Sequence, residues 1–347
     1  MMIFRQLFDS ATCTYTYLLG SEVNRHALII DPVLEKVDSY LKLLEELDLK
    51  LVKAIDTHVH ADHITALGAL RDRTRCVTVM GAASKVDMVS MRVDDGDIIE
   101  TGNISLKVLY TPGHTDDSYS FVGGDRVFTG DTLFIRGTGR TDFQHGDPIR
   151  AYHSLFDKLL TLPDETLVYP GHDYNGNTVS TIAEEKAFNP RLQVKSAKAY
   201  ADIMNNLNLP NPKQMDVAVP ANLSIGFSLG DPRIQENTVS VTDCLKEFDK
   251  GNVILVDLRE ARERERNGTI PGSLHLPYQS LTDGIKPSGA LGTMKAQTGK
   301  GFLLYCAYGE RSALALLTML DAGYQNVRHM GGGLDAWKNA GGKITQP

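Results

Sequence analysis

His58-Val59-His60-Ala61-Asp62-His63 packs three imidazoles and a carboxylate into six consecutive residues. The cluster follows closely on Leu51-Val52-Lys53-Ala54-Ile55, a short apolar run that reads as a β-strand. It is therefore expected on a loop at a strand's C-terminal end, where α/β folds carry their sites. Packing gives no reason for such a cluster, because burying these groups unpaired is costly. Imidazole and carboxylate together suit zinc, iron or manganese rather than calcium or magnesium.

Outward from this point, three more polar residues stand where other strands end. They are His114 in Thr111-Pro112-Gly113-His114, Asp131 in Phe128-Thr129-Gly130-Asp131, and His172 in Tyr169-Pro170-Gly171-His172. The chain around them alternates strands and helices. Ala27-Leu28-Ile29-Ile30 reads as a strand before Pro32. Val37, Tyr40, Leu41, Leu44 and Leu47 recur at helical spacing. Residues 118–122 and 126–129 read as a hairpin across Gly123-Gly124-Asp125. Leu155, Leu159, Leu160 and Leu162 are expected in one helix, ahead of a strand at 166–169, with helices continuing to about Leu207.

The set of histidines and aspartates resembles the HxHxDH, H, D, H pattern of the metallo-β-lactamase superfamily, which implies an αββα sandwich with a metal site along one edge. The superfamily pattern leaves the reaction open. In its two-metal hydrolases of the glyoxalase II type, the first metal would take His58, His60 and His114. The second would take Asp62, His63 and His172, with Asp131 bridging. Flanking segments narrow the choice. The segment 133–143, His172-Asp173-Tyr174-Asn175-Gly176, residues 178–181 and Asn189-Pro190-Arg191-Leu192 resemble the persulfide dioxygenase family, and the resemblance runs from about residue 3 to Asn222.

That resemblance implies one Fe(II) per chain, held by His58, His114 and Asp131, a triad that leaves positions open for substrate and O2. His60, Asp62, His63 and His172 would then surround the metal as hydrogen-bonding groups. The implied reaction converts glutathione persulfide and O2 to sulfite and glutathione. Arg140 is the candidate cation for the glutathione carboxylates or for the loop that meets them. Tyr174 is a candidate wall of the site, and Asp173 is expected to orient His172 or its loop. His26, His145, His153, His275 and His329 read as ordinary polar or half-buried histidines.

Composition sets the frame. At 347 residues the chain is long enough for about two domains. With 42% hydrophobic and 23% charged residues it reads as globular, which excludes a disordered or collagen-like chain. Lys+Arg 36 against Asp+Glu 43 gives −7, so overall charge offers no support for nucleic-acid binding. No apolar run reaches the ~18 residues of a membrane helix. The first residues show no secretory pattern, so a cytoplasmic location is expected. Cys13, Cys76, Cys244 and Cys306 form no CxxC pair and are expected reduced. The first three read as small buried side chains. A homo-oligomer stays open.

The alternation breaks over 208–235, where Pro210, Pro212, Pro220 and Pro232 mark an interdomain linker. The expected organisation is a first domain at 1–208, a linker at 209–235 and a second domain at 236–347. In the second, a helix is expected at 242–248, strands at 253–257 and 302–305, and helices at 311–320 and near Trp337. Cys306-Ala307-Tyr308-Gly309-Glu310-Arg311 lies between the strand at 302–305 and the helix that follows. A tight loop there turns backbone N–H groups and a helix N-terminus toward the sulfur, which stabilises a thiolate. Gly309 relieves the curl and Arg311 adds a cation. The loop resembles the CxxGxR active-site loop of rhodanese domains, as do residues 256–259, 270–273 and 327–337, over about 236–345. One departure is Thr269, where many relatives carry histidine.

The rhodanese resemblance implies a sulfurtransferase in which Cys306 takes a sulfane sulfur from a donor and passes it to a thiophilic acceptor. Arg311 would assist, and Ala307, Tyr308, Gly309 and Glu310 would form the substrate cradle. Thiosulfate or sulfite and glutathione are the implied partners, with the direction open. Two other readings remain: a glyoxalase II-type thioester hydrolase with a rhodanese appendage, and a second domain that only docks partners.

Overall fold

Strand β1 (Met2–Asp9) pairs antiparallel with β2 (Thr14–Ser21), which is buried along its whole length. Burial on both faces means that β2 lies inside a layered structure. The computed structural model describes residues 2–210, 214–225, 231–249, 251 and 253–347. It divides into two units, Met1–Gly226 and Phe227–Pro347.

In the first unit, β3 (His26–Ile30), β4 (Lys50–Ile55), β5 (Val77–Gly81) and β6 (Met91–Val93) continue the sheet in chain order. Helices α1 (Val37–Glu46) and α2 (Leu67–Thr74) cover its outer face. Val37, Tyr40, Leu44, Leu67 and Leu70 join Leu18, Ile29 and Ala54 in one apolar cluster. The helical spacing read from sequence is the spacing that makes this contact.

A second sheet has the order β14-β13-β10-β9-β8-β7. It contains β7 (Ile98–Thr101), β8 (Ile104–Tyr110), β9 (Tyr119–Gly123) and β10 (Arg126–Gly130). A small hairpin, β11 (Leu133–Phe134) with β12 (Gly137–Thr138), precedes β13 (Leu167–Pro170) and β14 (Ser180–Thr181). Helices α3 (Pro148–Phe156) and α5 (Ala197–Met204) pack on its outer face through Leu155, Tyr200 and Met204, and α4 (Ile182–Phe188) adds Ile182. Between the sheets, Tyr17 meets Phe128 at 5.0 Å and Tyr169 at 5.5 Å between ring centroids. The layers are therefore helix, sheet, sheet, helix.

Two expectations change. The predicted helix through Leu162 ends at Phe156, and Leu159–Thr161 forms a separate 3-10 turn before Pro163, a residue that biases the chain out of helix. The expected linker 209–235 holds two helices among its described residues, α6 (Met215–Leu223) and α7 (Pro232–Glu236). Val219 and Leu223 of α6 pack against the first-sheet cluster, while Ile234 of α7 joins the core of the second unit. The prolines masked this apolar spacing. Of the linker prolines, Pro220 sits inside α6 and Pro232 at the first turn of α7, where a missing N–H costs nothing.

The second unit contains β15 (Thr238–Val239), α8 (Val241–Asp249), β16 (Val253–Asp257), α9 (Ala261–Asn267), β17 (Leu274–His275), α10 (Leu281–Gly284), α11 (Ala290–Thr298), β18 (Gly301–Tyr305), α12 (Glu310–Asp321), β19 (Val327–Met330) and α13 (Gly333–Asn339). Its strands pair in parallel in the order β15-β19-β18-β16-β17. Leu303 and Leu304 point to opposite faces of β18 and enter separate clusters, one with Cys244 and Trp337, the other with Leu291 and Leu316. Cys76 is likewise a buried core side chain. No helix among the described residues is long and apolar enough to cross a membrane.

Candidate metal centre and cysteine loop

The histidine loop follows β4, His114 follows β8, Asp131 follows β10 and His172 follows β13. All four lie at C-terminal strand ends and are nearly enclosed. Gly130 makes the turn into Asp131 at φ +48°, and a Cβ there would stand 2.5 Å from Thr57 Oγ1. Only glycine both adopts that conformation without strain and clears that contact.

His58, His114 and Asp131 bring three donor atoms within 4.8 Å of one another. Their outer atoms are already engaged, which assigns the inner ones. Thr57 Oγ1 donates to Asp31 Oδ2 at 3.0 Å, so its oxygen accepts from His58 Nδ1–H at 2.9 Å. His114 Nδ1–H donates to the Arg140 carbonyl at 2.8 Å. Both rings therefore turn Nε2 inward, beside the carboxylate oxygen Asp131 Oδ2, which is 3.6 Å from His114 Nε2. Burial and the charge of His60 hold His58 well below the ordinary histidine range, leaving it neutral. Burial alone would raise the Asp131 carboxyl, but the charge and hydrogen bond of His172 outweigh it and hold Asp131 well below the usual carboxylate range. Two inward-facing imidazole nitrogens and one carboxylate fit a divalent transition metal.

The other sequence-predicted residues stand beside this triad. His172 Nδ1 lies 2.7 Å from Asp131 Oδ1, and its Nε2 lies 2.9 Å from Asp62 Oδ2. Burial would lower His172, yet the two carboxylates raise it well above its ordinary value, so both nitrogens donate. His63 Nδ1 lies 2.9 Å from Asp62, and His60 Nε2 lies 3.2 Å from Asp31. His60 Nδ1 and His63 Nε2 are buried with no partner among the described residues. His60, Asp62 and His63 also bring donor atoms within 4.8 Å of one another.

A cavity of about 640 Å³ opens on this cluster, and Asp62, His114, Asp131, His172, Tyr174, Arg136, Arg140 and Arg191 are among its lining residues. Tyr174 is two-thirds exposed and stacks on His172 with 6.0 Å between ring centroids. Arg140 binds both carboxylate oxygens of Asp142 at 2.6 Å and the carbonyls of Leu209 and Pro210. Its side chain thus holds a loop. Arg136 pairs with Glu185. Arg191, to which sequence reading assigned no role, directs its guanidinium at the Thr138 carbonyl and hydroxyl and has no carboxylate partner among the described residues. Asp173 accepts from the amides of Asn175 and Asn177 at 2.8 and 2.7 Å and shapes the Tyr174 loop.

In the second unit Cys306 follows directly on β18, and the Gly309 N–H donates to its Sγ at 3.1 Å. Gly309 caps α12 at φ +101°. The carbonyls of Cys306 and Ala307 accept from Leu334 N–H at 2.8 Å and Asp335 N–H at 3.0 Å, which binds the loop to the start of α13. Tyr308 is partly exposed and Glu310 is buried at the first turn of α12. Arg311 directs both terminal nitrogens at Glu263, each 2.6 Å away, so its cation clamps α9 to the loop. Thr269 donates to Asp257 Oδ2 at 3.0 Å, joining an Asp257–Arg259 pair.

The metallo-beta-lactamase superfamily profile matches residues 14–172, and the rhodanese-like domain profile matches residues 240–340. A persulfide dioxygenase, ETHE1, of Mus musculus is 47% identical over 228 residues, which cover 65% of this chain and 89% of that protein. A hydroxyacylglutathione hydrolase of Photobacterium profundum is 36% identical over 193 residues, covering 55% and 74%. The crystal structure of ETHE1 from Myxococcus xanthus shares 57% identity at a TM-score of 0.64, covering 65% of this chain and all of that one.

Proposed function

The chain belongs to the persulfide dioxygenase family of the metallo-beta-lactamase superfamily and carries a rhodanese-like domain, and from that premise we propose that it is a bifunctional enzyme of sulfane-sulfur metabolism. The first unit oxidises glutathione persulfide. One persulfide, one O2 and one water become one glutathione, one sulfite and two protons. The observation that carries this reading is the triad of two inward imidazole nitrogens and one carboxylate, of which His114 and Asp131 line the cavity, with both nitrogens of His172 within hydrogen-bond distance of carboxylates.

His58, His114 and Asp131 would hold one Fe(II), which when bound supplies the redox chemistry that O2 requires. The protein's own groups do the rest. His172 orients Asp131 and offsets its charge. Tyr174 walls the cavity beside His172. Arg136 and Arg140 are neutralised by Glu185 and Asp142, so Arg191 is the cation left to meet a glutathione carboxylate. The cavity volume suits a tripeptide thiol.

The second unit passes sulfur through Cys306. Its sulfur attacks the outer sulfur of thiosulfate and sulfite leaves, giving a cysteine persulfide whose outer sulfur goes to glutathione. The reverse sequence makes thiosulfate. The Gly309 N–H stabilises the sulfur anion, and the Arg311–Glu263 pair holds the loop.

An oxygen electrode with glutathione persulfide and the iron-loaded chain tests the first activity. Oxygen uptake, abolished by His114→Ala, is expected. Thioester hydrolysis without uptake would overturn it. His60 Nδ1 and His63 Nε2, buried with no partner among the described residues, favour a second reading, a two-metal thioester hydrolase. That reading requires two metal equivalents per chain. Thiocyanate formation from thiosulfate and cyanide, lost in Cys306→Ser, tests the second activity, and its absence would leave the unit a docking module.

A further inference from the structure

Asn222 lies near the end of α6 and is 2% exposed. Its Nδ2 donates to the carbonyl oxygens of His60 at 2.9 Å and His63 at 2.8 Å, and its Oδ1 accepts from the Thr65 N–H at 2.9 Å. Two carbonyls and one amide leave only one orientation for the side-chain amide. The helix is seated independently. Leu223 O accepts from the Asp87 N–H at 2.9 Å, and a Cβ on Gly68 would come within 2.8 Å of Ile225 O. This helix lies beyond the 14–172 segment matched by the superfamily.

We infer that Asn222 is a positioning residue for the metal centre, tying the histidine loop into one shape from 162 residues away in the chain. The carbonyls of His60 and His63 flank Asp62, so one amide group sets the curl of the loop that carries His58, His60, Asp62 and His63. Remove it, and two enclosed carbonyls and one amide lose their partner, and the loop relaxes to regain other bonds. The donor set survives that change, but its preorganisation does not. Metal affinity and ligand field should therefore both shift.

The inference rests on His58, His114 and Asp131 holding the metal, and the test separates the two. The metal-free full chain is titrated with cobalt(II), followed by its visible d–d absorption. Asn222→Ala should weaken binding about tenfold or more and alter the bands, in line with the ~10–100-fold cost of losing an outer-shell partner. Val219→Ala loosens the same helix while leaving the amide in place, and should hold cobalt(II) affinity within about twofold of the parent. Unchanged affinity and bands in folded Asn222→Ala overturn the inference, and so does an equal loss in Val219→Ala. Should Asn222→Ala not fold, hydrogen exchange on the unaltered chain decides. Coupling is reciprocal, so cobalt(II) must slow exchange of the α6 amides, and no slowing overturns it. His114→Ala should abolish the bands. If it does not, the ligand assignment fails while the response to Asn222→Ala still reports on the loop.

Discussion

His172 Nδ1 lies 2.7 Å from Asp131 Oδ1, close enough that the imidazole and the carboxylate act as one unit. Its other nitrogen lies 2.9 Å from Asp62 Oδ2, so in the proposed one-metal centre His172 would orient Asp131 and not bind the metal. His172→Gln is therefore expected to weaken metal binding by about 10–100-fold while leaving about one equivalent per chain at saturation. Metal analysis of the loaded protein reads this directly. A drop from two equivalents to one would place His172 in a second metal's shell.

Arg191 is the cavity guanidinium without a carboxylate partner among the described residues. Arg191→Met should raise KM for glutathione persulfide by about 10–100-fold, equivalent to the ~1.5–3 kcal/mol of a lost charged hydrogen bond, and change kcat far less. Steady-state oxygen uptake separates the two constants. An unchanged KM would remove Arg191 from substrate recognition.

Gly309 occupies φ +101°, and a Cβ there would stand 2.9 Å from the Gly332 nitrogen. Gly309→Ala should cost about 1–2 kcal/mol and turn the N–H away from Cys306. Thiocyanate formation should collapse while persulfide-dependent oxygen uptake persists. Full sulfur transfer in this variant would mean that the Gly309 N–H does not support the reacting sulfur.

His329 is buried beside Ser312 and Thr238, and burial lowers its pKa to about 4. The unfolded chain titrates near 6.5, so below that pH it binds a proton that the folded chain refuses. No stability is lost on this account above pH ~6.5. The loss grows as pH falls toward ~4 and then levels, at about 3 kcal/mol in the limit. His329→Gln keeps hydrogen-bonding capacity without titrating. Urea unfolding followed by Trp337, the single tryptophan and a core residue of the same unit, should show the parent losing stability more steeply than the variant between pH ~6.5 and ~4.5. Parallel curves would contradict a neutral buried His329.

The strand-then-cluster order of residues 51–63 and the strand-then-loop order of 302–311 are legible in the sequence, because these features are local. A periodicity, a residue type and an offset of a few positions define them. Helix α6 was not readable, since its prolines resemble linker and its apolar face has meaning only against the first sheet. Arg140 and Arg311 could be named as cations from sequence, but not that Asp142 and Glu263 would neutralise them.

The order of residues alone determined which side chains are available for chemistry and at which strand ends they stand. Tertiary structure decided how each is used: His172 as a double donor, Arg191 as a cation without a carboxylate partner among the described residues, Asn222 as the tie on a loop 162 residues away. The reason is that a buried polar group takes whichever partner the fold brings within about 3 Å, and for these residues that partner lies far along the chain.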